Sequence, residues 1–247
     1  MLQLCARAKS VEDGRAVMVQ GFDRLEITLP CPGGPEEERG WSALGREEGL
    51  TFLAHGPEEG NPSDLKHLEE QYLPRIQAAL EACGRLSVHV LTLHLWLEPR
   101  FLPPEVVLAK IGFLEKAVAW GLAQGVSVHL ENLSEDHAAL AEALARIPDL
   151  KLTLDLGHAM LLHESSTAPE IVRRFFSRIG HLHLHDNRGG PSPRDDLHLV
   201  PGEGLVPFGA VFKLLKERGY DGTATLELRP AEMARARAFI LNTWEAS

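Results

Sequence analysis

VSVHLENLSEDHAALAEALARIPDLKLTLDLGH, residues 126–158, is the stretch whose reading decides the fold. Residues 126–133 are apolar and β-branched over the length of a strand. Ser134-Glu135-Asp136 then opens a run of helical period, and a second strand-like segment follows at 150–156. Strand, helix and strand in about 30 residues make the unit of a parallel sheet, because two parallel strands need a crossover between them.

The alternation continues outward in both directions. Strands are expected at 3–6, 24–29, 50–55, 86–95, 126–133, 150–156, 179–186 and 223–228. Helices fill the intervals: Ser63 precedes one, Pro103-Pro104-Glu105 opens another, and Gly125 and Gly219 close two. The second interval is different. Pro-Cys-Pro-Gly-Gly-Pro-Glu-Glu-Glu-Arg-Gly (30–40) reads as a loop and leaves only 41–48 for a short helix. Eight strands with intervening helices imply an α/β fold, a (β/α)8 TIM barrel formed by residues 1–247 as a single domain.

Cys5, Cys31 and Cys83 are scattered and odd in number, so neither a disulfide framework nor a Cys-x-x-Cys knuckle is expected, and a reducing cytoplasm is the natural setting. No apolar run approaches the roughly 18 residues of a membrane span, and a soluble, unprocessed protein is expected. Acidic residues outnumber basic ones, 35 to 25, for a net charge of −10, a field that disfavours a nucleic-acid backbone.

Loops at the C-terminal ends of barrel strands can vary without disturbing the packed interior, so the active site is expected there. Side chains able to bind metal stand at or just past six of those ends: His55, His94, Glu131, Asp155 with His158, His183 and Glu227; a further loop adds Asp196 and His198. In Thr-Leu-Asp-Leu-Gly-His (153–158) a tight glycine turn would fold His158 back over the site of Asp155, letting one ion serve both. In His-Leu-His-Leu-His-Asp (181–186) the alternation places three imidazoles on one face, with His183 or His185 nearer the rim than His181. Glu131, Asp155 and Glu227 interrupt apolar strands, where a carboxylate left alone costs on the order of several kcal/mol. Mixed carboxylate and imidazole ligands suit zinc, manganese or a similar divalent ion, which would also relieve their mutual repulsion.

Other polar residues have plainer readings. His67, His137 and His163 are expected on the surface, and His89 and His129 lie too early on their strands. Glu36 to Glu38, Glu69 and Glu70 read as solvated faces, and Gly202-Glu203-Gly204 as a tight turn. Trp41, Trp96, Arg188 and Arg229 lie near rim loops, where contact with substrate and simple packing are equally compatible with the sequence.

The motifs His-Leu-Glu-Asn-Leu (129–133), Leu-Asp-Leu-Gly-His (154–158), His-Leu-His-Asp-Asn (183–187), His-Leu-Val-Pro-Gly-Glu-Gly (198–204) and Leu-Glu-Leu-Arg (226–229) occur in an order that resembles the xylose isomerase-like barrel superfamily over nearly the whole chain. That superfamily includes sugar phosphate isomerases and epimerases and endonuclease IV, of AP endonuclease family 2. The resemblance implies a one-metal ring of Glu131, Asp155, His183 and Glu227, as in the epimerase branch. His55, His94, His158, Asp196 and His198 fall where the endonuclease IV branch places its remaining ligands, which implies a nine-residue, three-metal set. The cofactor expected is thus one to three divalent ions of manganese, zinc, cobalt or magnesium. The acidic loops at 33–38 and 56–64 lack the basic residues and apolar wedge that open a duplex, so nucleic acid is disfavoured.

A small carbohydrate is the expected partner; a homo-oligomer is compatible with the sequence, and no membrane contact is expected. The expected chemistry is isomerisation or epimerisation of a small sugar or sugar phosphate through a metal-stabilised enediolate, with Glu131 and Glu227 as acid and base and His158 orienting a substrate oxygen. Multi-metal phosphoester hydrolysis with Glu131 bridging two ions is the alternative, and a barrel that binds metal and carbohydrate without turnover is a third reading.

Overall fold

Side chains alternate between the two faces of each strand, and here both faces are buried for different reasons. The computed structural model describes residues 2–247. In it, β1 (Gln3–Ala8), β2 (Arg24–Thr28), β3 (Thr51–His55), β4 (Val90–Leu93), β5 (Ser127–Glu131), β6 (Lys151–Asp155), β7 (Ile179–Leu184) and β8 (Thr223–Leu226) pair in parallel in sequence order. β8 bonds back to β1, closing the barrel. One main helix follows each strand: α1 (Val11–Met18), α2 (Gly34–Glu48), α3 (Leu73–Leu86), α4 (Pro104–Ala123), α5 (His137–Arg146), α6 (Ala168–Phe175), α7 (Phe208–Glu217) and α8 (Met233–Ala246). Among the described residues no helix is long and apolar enough to cross a membrane.

Val128 and Leu130 of β5, Leu152 and Leu154 of β6, and Leu182 and Leu184 of β7 belong to the apolar core shared with the helices. The residues between them point into the barrel and are polar. Thr92 and Thr153 hydroxyls meet at 2.7 Å, Thr153 approaches the His129 ring at 3.4 Å, and His181 bonds Thr223 and Thr225. The apolar core is therefore the annulus between sheet and helices, while a hydrogen-bonded polar stack, with Leu53 and Cys5 buried outside that annulus, occupies much of the lumen and rises to the rim.

Two expectations need correction. α2 begins at Gly34, not at residue 41: Pro35 occupies its first turn, where no N–H partner is needed, and Glu36 and Glu37 meet the positive end of the helix. The acidic run is a helix start, with Glu37 accepting from the Gly33 N–H at 2.7 Å. Of the two roles left open for Trp41, the structure shows packing: the side chain is buried and meets Phe52 edge-on at 5.9 Å. The fourth strand is Val90–Leu93, shorter than 86–95, because Leu86 is the last residue of α3 and Ser87 ends it in a left-handed conformation, φ 55°.

Candidate metal centre

The strand ends deliver all nine residues singled out in the sequence to one chamber, sorted into three groups. His55 ends β3, His94 follows β4 and Glu131 ends β5. Their ligand atoms converge, with His94 Nε2 at 3.1 Å and His55 Nε2 at 3.5 Å from Glu131 Oε2. The other oxygen of Glu131 faces a second group: His183 Nδ1 lies 3.1 Å from it, 3.6 Å from Glu227 Oε1 and 3.8 Å from Asp155 Oδ2. In the third group Asp196 Oδ2 stands 3.2 Å from His158 Nε2 and 3.0 Å from His198 Nε2.

One part of the local reading changes. His158 does fold back over Asp155, its backbone N–H donating to Asp155 Oδ1 at 2.7 Å and its Nδ1 lying 3.6 Å from Asp155 Oδ2 and 3.2 Å from Glu131 Oε1, while the 3.1 Å approach of Nδ1 to the Asn132 carbonyl turns Nε2 toward Asp196. The glycine before it is in ordinary right-handed helical geometry, φ −72°, so its role is room rather than conformational freedom. A Cβ on Gly157 would sit 2.1 Å from the His185 ring. That ring completes the third group: His185 Nε2 is 3.1 Å from Asp155 Oδ1, and the ring stacks on His198 at 3.8 Å. Of the two histidines left open at the end of β7, His183 therefore joins the Glu131 group and His185, just past the strand, the Asp196 group.

Several contributors were not singled out. Glu26, fully buried on β2, reaches across the lumen, and both its oxygens lie 3.1 Å from His183 Nε2; His181 Nε2 and the Thr225 hydroxyl complete its shell at 3.2 and 2.5 Å. The signal was present: Glu26 interrupts Leu25-Glu26-Ile27 just as Glu131 interrupts its own strand. The Asn132 side chain exchanges two 2.9 Å bonds with the Asp155 backbone, prolonging the β5–β6 ladder so that Asp155 is held at the rim. Arg7, brought inside by a β1 longer than expected, stands 3.7 Å from Glu227 and donates to Thr28 Oγ1. His163 is bonded to the Ser134 carbonyl at 2.9 Å rather than left to solvent.

The donor set fits divalent metal. Glu131 Oε1, Asp155 Oδ2, His183 Nδ1 and His185 Nε2 are buried without a hydrogen-bond partner, although each has another ligand atom close by. Lone pairs aimed at a common point, and not at one another, produce that pattern. Tetrahedral ligands about 2.0–2.1 Å from an ion stand roughly 3.3 Å apart, the scale of the spacings seen. Without an ion, protons serve as counter-charge. Burial disfavours a charged His183, but Glu131, Glu227 and Glu26 override it and raise its pKa well above the usual imidazole value. Burial likewise opposes ionisation of Glu131, and His183 and His94 hold its pKa well below the carboxylate range. His198 rises to about 9, against desolvation, through its bond to Asp196 and the charge of Glu227.

Above the ligands opens a cavity of about 600 Å³, reached by His55, His94, His158, Asp196, His198 and Glu227. Glu131, Asp155 and His183 form its closed floor, each fully buried. Arg229 stands at the rim, paired with Glu232 at 3.0 Å.

Comparison with known proteins places the fold. The chain is 23% identical over 242 residues to fructoselysine 3-epimerase of Shigella flexneri, covering 89% of this chain and 85% of that protein. Among solved structures, a D-tagatose 3-epimerase-like protein superposes with a TM-score of 0.85 at 22% identity over 99% of this chain and 98% of the other. The IolI protein with a bound zinc atom superposes with a TM-score of 0.78 at 17% identity, covering 99% of both chains. Residues 16–242 match the family model described as a xylose isomerase-like TIM barrel, and the chain belongs to that family.

Proposed function

We propose that the protein is a divalent-metal-dependent isomerase or epimerase of a small sugar or sugar phosphate. The observation that carries this reading is the convergence of Glu131 and Glu227, from β5 and β8, on the group completed by Asp155 and His183, with all four ligand atoms within 4.8 Å. These strands stand three places apart in a barrel of eight, so the two carboxylates approach a substrate from different walls. A divalent ion bound there supplies a Lewis acid for a substrate carbonyl and for the negative charge that grows as the adjacent proton leaves. Glu227, beside Arg7 and facing the cavity, takes or returns a proton on one side, and Glu131 on the floor serves the other. His158, its Nδ1 engaged by Asn132, turns Nε2 toward the cavity to orient a substrate oxygen. The relatives named as epimerases support this reading.

The test is solvent exchange. Metal-loaded protein and a panel of ketoses in D2O should give deuterium at one carbon beside the carbonyl, followed by NMR. Glu131→Gln and Glu227→Gln should each lower exchange by about 100-fold or more with the fold retained. Full activity in either variant removes that residue from the acid–base pair.

One observation favours a second reading, multi-metal phosphoester hydrolysis: the two oxygens of Glu131 face two different ligand groups, and Asp196 organises a third. Elemental analysis of protein purified without chelator separates the two. About one manganese, cobalt or magnesium ion per chain supports the epimerase, and two or three zinc or iron ions support the hydrolase. The charge argument against nucleic acid is weaker than the sequence implied: the acidic 33–38 stretch runs into α2, and Glu59 in the β3 loop is buried against Lys110.

A further inference from the structure

Beside the metal chamber lies a second cavity of about 360 Å³, and its chemistry is opposite. Pro62, Trp96, Leu133, Leu161 and Leu162 form its apolar wall, and His94 and Glu58 line both cavities, so the two adjoin. The polar atoms of Trp96 that border it are already engaged. The Trp96 indole N–H donates to Ser134 Oγ at 2.8 Å, and the Trp96 backbone N–H to Glu59 Oε2 at 2.9 Å. Phe101, which is 58% exposed, stacks on Trp96 at 5.6 Å and braces it from outside the cavity lining.

The annex is built to stay open. Glu59 is tied to Lys110 of α4, a fully buried lysine that also donates to the Pro62 carbonyl at 3.3 Å, fixing the loop after β3. Glu135, likewise fully buried, accepts the backbone N–H groups of Leu97 at 2.5 Å, Leu133 at 2.8 Å and Ser134 at 3.0 Å, joining the loops after β4 and β5. Arg100 closes the outer side by bonding Glu98 and the Leu162 carbonyl. Three loops locked by buried or nearly buried carboxylates hold the apolar walls apart, which is the preorganisation a binding site needs.

We infer that this annex is a subsite for an apolar, ring-sized substituent carried by the sugar whose oxygens lie over the metal ligands. Sugar hydroxyls placed against Pro62, Leu133, Leu161 and Leu162 would lose their water without replacement, so an unadorned sugar has no reason to enter. A flat apolar group would cover Trp96 and leave every existing hydrogen bond in place. The substrate class is thereby narrowed to a sugar that keeps a carbonyl and is joined to a hydrophobic group, such as the keto form of an aryl or alkyl glycoside, for whose binding the plain glycosides stand in. This narrowing rests on the carbohydrate reading of the chamber.

The test uses binding rather than turnover. Manganese-loaded protein is titrated calorimetrically with phenyl and methyl β-D-glucopyranosides and β-D-fructopyranosides, and crystals are soaked with the phenyl compounds. The phenyl member of at least one pair should bind about tenfold or more tightly than its methyl partner, with its ring against Trp96 and Leu162. Leu162 has φ 60°, a conformation asparagine accepts, so Leu162→Asn should keep the fold and bring the ratio close to one. Equal affinities, no binding of any phenyl compound at about 20 mM, or a ring seated elsewhere overturns the annex. The two readings fail separately. A seated ring without deuterium exchange on any sugar leaves the annex and sinks the epimerase, whereas exchange on small ketoses with no phenyl preference does the reverse.

Discussion

His183 has both ring nitrogens committed: Nδ1 faces Glu131, Asp155 and Glu227, and Nε2 faces the two oxygens of Glu26. A carboxylate behind an imidazole fixes its tautomer, because the proton stays on the nitrogen facing the carboxylate and the lone pair is left for metal. Glu26→Gln keeps the size of the side chain and removes the charge. Metal affinity, measured by competition with a chelating dye, should fall about 10- to 100-fold with the far-UV circular dichroism unchanged. Unchanged affinity would show that Glu26 only fills the lumen. At this scale the sequence was informative wherever a charge interrupted an apolar strand, and Glu26 met that criterion as fully as Glu131. Its role was hidden because it meets His183 from across the barrel, 157 residues away in the chain.

At the scale of the element, the segment from β6 through His158 depends on close approach. Gly157 uses no conformation reserved for glycine; it is required because the His185 ring occupies the space a Cβ would take. Gly157→Ala should displace His185, lower stability by about 1–3 kcal/mol as a fall in denaturation midpoint at unchanged slope, and reduce metal occupancy of the Asp196 group before the Glu131 group. An alanine variant as stable as wild type, with His185 in place, contradicts this. The elements themselves were largely legible, since the alternation of strand and helix patterns follows from which faces are buried. The start of α2 was not, because Pro-Gly-rich sequence suits a loop and a helix N-terminus equally, and the contacts made at that start, Gly33 N–H to Glu37 and Arg85 of α3 to Glu38, are not visible in the local pattern.

For the whole molecule, a polar lumen makes stability depend on pH. Burial, reinforced by the positive charges of His181 and Lys151, lowers the pKa of His129 to about 3 from an unfolded value near 6.5. Between those values the unfolded chain binds a proton that the folded one refuses, so this residue makes stability decrease as pH falls through that window, by about 1.4 kcal/mol per pH unit. Denaturant titrations of wild type and His129→Gln from pH 6 to 4.5 should differ by roughly that slope, the variant being flatter; parallel curves would place the His129 titration elsewhere. The sequence by itself determined the barrel and the residues its strands carry to the rim, because burial on two faces imposes a period that survives without knowledge of any contact. Only the tertiary structure decided which nitrogen of each histidine faces which carboxylate, that Glu26 and His185 belong to the centre, and that an apolar annex opens beside it. Those properties depend on strands and loops distant in the chain meeting within about 3–4 Å, a scale that local periodicity does not encode.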